Sequence, residues 1–563
     1  MVTALSTNKA ASVYARLDQE KSFFQDQPTE QTEFDFESKK AFCSQMLVSG
    51  TRLAQLTQKR PSVRFNRMSS HIPTSTDQEY DPIITKIAKY SVDNKIKLTD
   101  VAYETAHYAL LDTLGCAVLA LRHPEAVKHL GPIIPGTVVP HHSSVNVPGT
   151  QYEVDPVRGA WNNTTLIRWL DYNDTFLAKE FGHPSDNFGA LLAASQYLNK
   201  NRKYSVSVSQ SGNPPLTVRD VLQYGIKAYE IQGQLSIDNS LNRLGIDHVF
   251  FVKLASTATV TAMMGGDIEQ VSAAISNAIV DNGPMRTYRH FPNTGERKSW
   301  AAADAASRAV NFAMMHVKGE RGYPSVVSTK GWGYKDVVLK GQEFGLERDL
   351  GSYIMENVLF KISYPAEFHG QTAVEMSIKI HDLLNKEKPG WTEEDIKEVR
   401  FNTHEAAMRI IDKRGPLTNY ADRDHCIQYM SAVGLLFGRL VAESYADEFA
   451  AANPSIDRLR EKMTISEHKP YSVDYLDPEK RSQASDVQVF FKDGYTTPIF
   501  KAEYPVGHRL RRQEGIPLLV EKFQNNVATR YPTAHAKRII DLCLNREKLL
   551  STEVDEFMRM WVI

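Results

Sequence analysis

Residues 168–187 read RWLDYNDTFLAKEFGHPSDN, and the interpretation of this stretch decides how the rest of the chain is organised. It begins as a helical stripe, with Ile167, Trp169, Leu170 and Tyr172 apolar or aromatic, yet Asp171, Asp174 and Thr175 lie on or next to the same turn. Carboxylates are unfavourable there without a partner. The stretch then runs into Gly182-His183-Pro184-Ser185-Asp186-Asn187, a turn-forming cluster that breaks the helix and presents an imidazole near those carboxylates. An apolar helix, Phe188 to Leu198, follows. Acid, hydroxyl and imidazole groups delivered by a helix end and its following loop suit proton transfer, which needs an acid and a base within reach of one substrate. The plainer alternative is that Asp and Ser beside Gly and Pro cap and turn the chain and that His183 is a satisfied structural residue.

Outward from this stretch the pattern is predominantly helical from Asp81 to about Gly341. Leu98-Thr99-Asp100 starts VAYETAHYALLDTLGCAVLAL, Thr217 opens VRDVLQYGIKAYEIQG, and Asp267 precedes IEQVSAAISNAIVDN. A strand-like insert, PGTVVPHHSSVNVPGTQYEVDP, interrupts the helices. Beyond about residue 357 the period changes: DIKEVRFNTHEA and DVQVFFKDGYTTPIFKAEYP alternate, the second around an Asp493-Gly494 hairpin turn. They flank helices expected at Gln371–Leu384 and Ile427–Ser444. After Pro517 helical periodicity returns. The expected fold is therefore mainly α with an α+β insert: a large helical domain over 80–357, a smaller α+β lid domain over 358–510, and C-terminal helices over 511–563 that rejoin the helical domain.

Composition narrows the function. Lys and Arg number 66 against 67 Asp and Glu, so no global field marks nucleic acid or an anionic membrane as partner. No apolar run reaches the ~20 residues that span a bilayer. Cys43, Cys116, Cys426 and Cys543 are scattered without CxxC spacing, which argues against structural zinc, an iron–sulfur cluster or a disulfide framework. GxSxG, P-loop, HExxH and GxGxxG patterns in a credible context are missing as well. Residues 1–79 form an extension with little to pack, and 46–76 within it is rich in Arg, Ser and Leu with no acidic residue, the composition of a mitochondrial transit peptide or of a basic linker.

Four further segments gather charge beside turns. Asp247-His248 opens an apolar helix. MRTYRHFPNTGERKSW places Arg286, Arg289, Arg297 and Lys298 before a small-residue helix, where cations oppose the dipole and call for something negative, a substrate carboxylate or solvent. VLFKISYPAEFH sets Lys361 in apolar surroundings, where it needs a partner or a route to water. NYADRDHCIQYM packs Asp422, Arg423, Asp424, His425 and Tyr429 ahead of a helix, only partly explained by capping.

Taken together in order, RWLDYNDTFLAKEFGHPSDN, NRLGIDHVFFVKLAS, RTYRHFPNTGERKSWAAADAASRAV, MENVLFKISYPAEFH, DRDHCIQYM, PEKRSQA and EYPVGHRLRRQEGIP closely resemble the family of 2-methylcitrate dehydratase and cis-aconitate decarboxylase over residues 80–563. The resemblance implies a cofactor-independent, metal-free homodimer that dehydrates the tricarboxylate 2-methylcitrate to 2-methyl-cis-aconitate in the mitochondrial matrix; itaconate-forming decarboxylation and aconitase-like dehydration of citrate are the rival activities. It maps the family's site onto Asp171, Thr175, His183, His248, Lys298, Lys361 and Tyr429. In that scheme His183 and His248 share the acid and base roles in undecided order, and Asp171 orients an imidazole. Lys298, Arg286 and Lys361 restrain carboxylate, with Arg289 beside them, while Thr175 and Tyr429 bond substrate oxygens under a closing lid.

Overall fold

The computed structural model describes residues 79–202, 214–290 and 292–563, so the basic segment 46–76, the extension before it and Cys43 lie outside the described residues. Helices α1 (Pro82–Val92), α2 (Asp100–Ala120), α3 (Pro156–Arg168), α4 (Asn187–Asn201), α5 (Val218–Asp238), α6 (Val249–Met263), α7 (Ile268–Val280) and α8 (Arg297–His316) build one large core. Every residue of α6 is buried, including Lys253 and the small hydroxyl residues among its apolar ones, and α4, α5, α7 and α8 pack on it. The starts follow local chemistry. Thr99 accepts the amide of Ala102, Asp155 accepts those of Val157 and Arg158 ahead of Pro156, and Asp267 with Gln270 forms a capping box. The expected strand-like insert is an antiparallel pair, β1 (Val145–Asn146) and β2 (Glu153–Val154).

In the pivotal stretch the helix is shorter than its spacing suggests. α3 stops at Arg168, and Asp171 takes a left-handed φ of 50°, which a helix cannot accommodate and which Asp tolerates better than most residues. Between it and α4 lies a tight hairpin, β3 (Phe176–Leu177) paired with β4 (Phe181–Gly182). Thr175 just before it exchanges two backbone hydrogen bonds of 2.9 Å with Leu359, which docks the later segment carrying Lys361 beside Asp171.

A second core collects α9 (Gln371–Glu387), β5 (Ile396–Thr403), α10 (Ile427–Phe437), β6 (Met463–Glu467), β7 (Ser485–Phe491) and β8 (Phe500–Ala502). The sheet order is β6-β5-β7-β8, with β5–β6 parallel and the other pairs antiparallel. Val487, Val489 and Phe491 alternate inward along β7 beneath α9 and α10. α10 ends at Phe437 rather than Ser444, because Gly438 adopts a left-handed φ of 64°. The last helices, led by α11 (Arg512–Ala528), return to the first core, where Leu519, Phe523, Val527 and Trp561 are buried. The fold is thus mainly α with a small α+β part. Where the two cores meet, Leu177 and Phe181 of the hairpin pack with Leu359, Phe368, Ala406 and Tyr475.

Candidate active site

Asp171 is the hub. Its side chain is 1% exposed and receives Arg168 Nη1 at 2.5 Å and Lys361 Nζ at 2.7 Å, both on Oδ1, while Lys361 also donates to the Asp171 main-chain carbonyl at 2.7 Å. His183 Nε2 lies 3.6 Å from Oδ1 and His425 Nδ1 3.9 Å from Oδ2. Burial alone would raise this carboxyl's pKa, but Arg168, Lys361 and then the two imidazoles hold it well below the ordinary value. Burial pulls the Lys361 ammonium down, and Asp171 offsets part of that.

Next to it stands a second pair. Lys298, near the start of α8, lies 2.5 and 2.6 Å from the two oxygens of Asp424 and 3.0 Å from His425 Nδ1, so the negative group that cations at this helix start require comes from the other core. Burial depresses Lys298, and it lowers His425 to about 4. Asp424 is held low despite burial by Lys298 and His425.

The imidazoles form the third part. His183 sits just after β4, and its Nδ1 donates to the Asp174 carbonyl at 2.7 Å; since a carbonyl only accepts, the proton is on Nδ1 and Nε2 carries the lone pair. His248, at the start of α6, meets His183 edge to face with ring centroids 5.8 Å apart. Neither of its ring nitrogens makes a hydrogen bond among the described residues, although Nδ1 is 3.4 Å from Asp247 Oδ1. Burial lowers both imidazoles well below the usual range, reinforced by Arg168 for His183 and opposed by Asp247 for His248, so both are neutral at neutral pH. Gly182 packs tightly against them: a Cβ there would stand 3.2 Å from His248 Cδ2 and 3.1 Å from Gln232 Nε2.

The structure therefore gathers Asp171, His183, His248, Lys298 and Lys361 around one junction of the two cores. Arg286 joins their edge: its guanidinium lies 4.9 Å over the Phe181 ring and 3.8 Å from Asp247, with Nη1 making no hydrogen bond among the described residues. Two expected substrate contacts are committed elsewhere. Arg289 is locked on Asp247 through Nε and Nη2, and the Thr175 hydroxyl donates to the Gly182 carbonyl at 2.9 Å, where it fixes the hairpin. Tyr429 stands apart from the cluster. It is buried in the second core and donates to the Ser444 carbonyl at 2.8 Å. Nearer Asp171 and Asp424 are Tyr445 and Tyr420, packed edge to face at 5.2 Å, whose buried hydroxyls make no hydrogen bond among the described residues. Burial and then those carboxylates push both phenols well above their usual pKa. The site also takes in Arg168, which the sequence does not mark, and Asp424 and His425, which it marks as members of the charge-dense DRDHC segment without assigning them a role.

One set of groups among the described residues could hold a cation: Asp171, Asp424 and His425, with ligand atoms within 4.8 Å of one another. Arg168, Lys361 and Lys298 already bind those carboxylates, so a divalent ion would face three positive groups at contact range. The arrangement is better suited to an organic polyanion, whose carboxylates can exchange with Asp171 and Asp424 on the same cations.

The comparisons with known proteins agree on one lineage. Residues 85–347 match the MmgE/PrpD N-terminal domain and residues 364–546 the MmgE/PrpD C-terminal domain. The 2-methylcitrate dehydratase of Escherichia coli (strain K12) is 50% identical over 494 residues, 88% of this chain and 99% of that protein. A mitochondrial 2-methylcitrate dehydratase of Yarrowia lipolytica is 49% identical over 496 residues, 88% and 93% of the two chains, and a probable 2-methylcitrate dehydratase of Saccharomyces cerevisiae is 46% identical over 508 residues, 89% and 96%.

Proposed function

The chain belongs to the MmgE/PrpD family, and we propose on that premise that it is a hydro-lyase converting 2-methylcitrate to 2-methyl-cis-aconitate in the methylcitrate cycle. The observation that carries this reading is identity of about half the residues to 2-methylcitrate dehydratases over nearly their whole length. The cluster of buried cations and neutral imidazoles supplies chemistry that fits it.

The reaction removes a proton from the methyl-bearing carbon and hydroxide from its neighbour. The proton is weakly acidic because the adjacent carboxylate is already charged, so cations must offset the charge that develops there. Lys298, Lys361 and Arg286 take this role, releasing Asp424 and Asp171 in part as substrate carboxylates arrive. His183 is the base: its hydrogen bond to Asp174 aims a free Nε2 lone pair, and the imidazolium it becomes lies beside Asp171. His248, neutral in the empty site, takes up a proton as the polyanionic substrate arrives, with Asp247 beside its Nδ1 favouring the charged ring, and delivers that proton to the departing hydroxyl. Asp171 orients Lys361 and His183 together.

The cations that hold the carboxylate beside the deprotonated carbon take up the charge that develops on it, so the proposed reaction uses neither cofactor nor metal. Lys298–Asp424 and the His425–Asp171 contact span the two cores, so the α+β part acts as a lid that must part from the helices to admit substrate and closes to exclude water. The working unit is a homodimer, and its place is the mitochondrial matrix, with 46–76 as the targeting segment. Purified, metal-stripped protein incubated with 2-methylcitrate, citrate and cis-aconitate tests the reading. It predicts the ultraviolet rise of an unsaturated acid fastest with 2-methylcitrate; carbon dioxide release from cis-aconitate as the main activity would overturn it.

A further inference from the structure

A buried ion pair outside the cluster holds its backbone. Asp112 lies in the middle of α2 and Lys522 on α11, 2% and 7% exposed, with Oδ1 and Nζ 2.7 Å apart. The hydrogen bonds of this ammonium go to main-chain carbonyls, that of Tyr172 at 2.8 Å and that of Lys361 at 2.5 Å, while Asp112 faces it as a counter-charge whose oxygens accept no hydrogen bond among the described residues. The same ammonium sits 3.5 Å over the Tyr172 ring, whose hydroxyl donates to the Ile362 carbonyl at 2.8 Å. One cation thus ties the residue after Asp171 to Lys361, across two segments almost two hundred positions apart in sequence.

We infer that Lys522, charged and aimed by Asp112, is a positioning residue for dehydration: it fixes the backbone on which Asp171 and Lys361 present their side chains. Asp171 holds the unfavourable left-handed conformation, and such a residue keeps its geometry only where the surroundings over-determine it. The carbonyl on one side of this strained residue is its own, taken by Lys361, and the next is Tyr172's, taken by Lys522. Without the clamp the turn relaxes, Asp171 and Lys361 drift, and the Nε2 of His183 loses the carboxylate that stabilises its protonated form. No substrate contact is involved. A generic core salt bridge would have needed only Asp112; the two carbonyls, both belonging to the chain of the cluster, give the pair its specific task.

This inference rests on the dehydratase reading, and its test separates the two. Removing one charge would strand the other, so the variant is the neutral, size-matched pair Asp112→Asn with Lys522→Met in the full chain. Three quantities are read against wild type: the thermal midpoint, kcat and KM with 2-methylcitrate, and amide hydrogen exchange of the peptide spanning 168–177. The clamp predicts a midpoint within a few degrees, KM little changed, kcat lower by roughly a hundredfold as for a misplaced catalytic group, and exchange of 168–177 about tenfold faster while α6 keeps its protection. Turnover and exchange of 168–177 both near wild type would overturn the inference, as would loosening spread evenly over the molecule. Were wild type itself inert toward 2-methylcitrate, the substrate reading would fall while the exchange pattern still decided the clamp.

Discussion

The ammonium of Lys361 lies 2.7 Å from both the carboxylate and the main-chain carbonyl of Asp171, so one cation satisfies a buried charge and the backbone of a left-handed residue at once. The contact joins segments of the chain on either side of the helical core. Replacing Lys361 by Met strands that carboxylate with Arg168 alone. Because Arg168 still neutralises that carboxylate, the expected outcome is a stability loss of about 1–3 kcal/mol, the cost of leaving the buried Asp171 carbonyl without its donor, together with loss of turnover; denaturant midpoints and kinetics measure both.

Each imidazole should be indispensable on its own. His183→Gln and His248→Gln keep polar groups of similar size, so folding by circular dichroism should be retained while kcat falls at least roughly a hundredfold, the low end of what a positioned acid or base contributes. Because burial lowers His183 well below 6.5, the loss of wild-type kcat/KM on acidification, which reports protonation of the base, should set in only below that point. A midpoint at or above 6.5 would contradict the assignment.

Gly182→Ala tests the spacing between those rings. The added methyl meets His248 at 3.2 Å, closer than most real contacts, and the ring must shift by a few tenths of an ångström. Turnover should fall several-fold to tenfold with little change in melting temperature, since misplacement by such distances is felt in the transition state before it is felt in the fold.

Two lid tyrosines, Tyr429 and Tyr445, should separate. Tyr429→Phe removes a donor from the Ser444 carbonyl and should lower stability by about 1 kcal/mol with near-normal kcat. Tyr445→Phe removes an unpaired phenol beside Asp171 and Asp424, so it should leave stability unchanged or raised while altering kinetics.

Asp186 gives a pH signature. Burial raises its carboxyl to about 7, although Arg168 pulls the other way. A group whose folded pKa is raised favours the fold while protonated and progressively opposes it as pH climbs from the unfolded value toward the folded one. Stability should therefore decline between pH 4 and about 7 in wild type, and Asp186→Asn should flatten that decline in denaturant titrations.

Much of the fold was legible because its signals are long. The largely apolar α6, the helices with capped starts at Thr99 and Asp267 and the alternating β7 each carry their period over many residues. The hairpin at 176–182 was not, since strands of two residues have no period to detect. In the site, His248 and Lys361 stand out against apolar neighbours, His183 as an imidazole in a turn, and Lys298 as one of several cations at a helix start. The resemblance maps Tyr429 to the site, and nothing local to the sequence shows that Tyr445, in the turn after α10, faces the Asp424 and Asp171 carboxylates. Arg168 reads as an ordinary basic helix end, and nothing local reveals that Asp171 turns back onto it through a positive φ.

The central claim is that one buried cluster of cations and imidazoles carries out dehydration. The most direct measurement is the rate of unsaturated acid formation from 2-methylcitrate by wild type, His183→Gln, His248→Gln and Lys298→Met proteins of matched folding. The account predicts fast formation by wild type and near-background rates in all three variants. Wild-type rates in either histidine variant would contradict it.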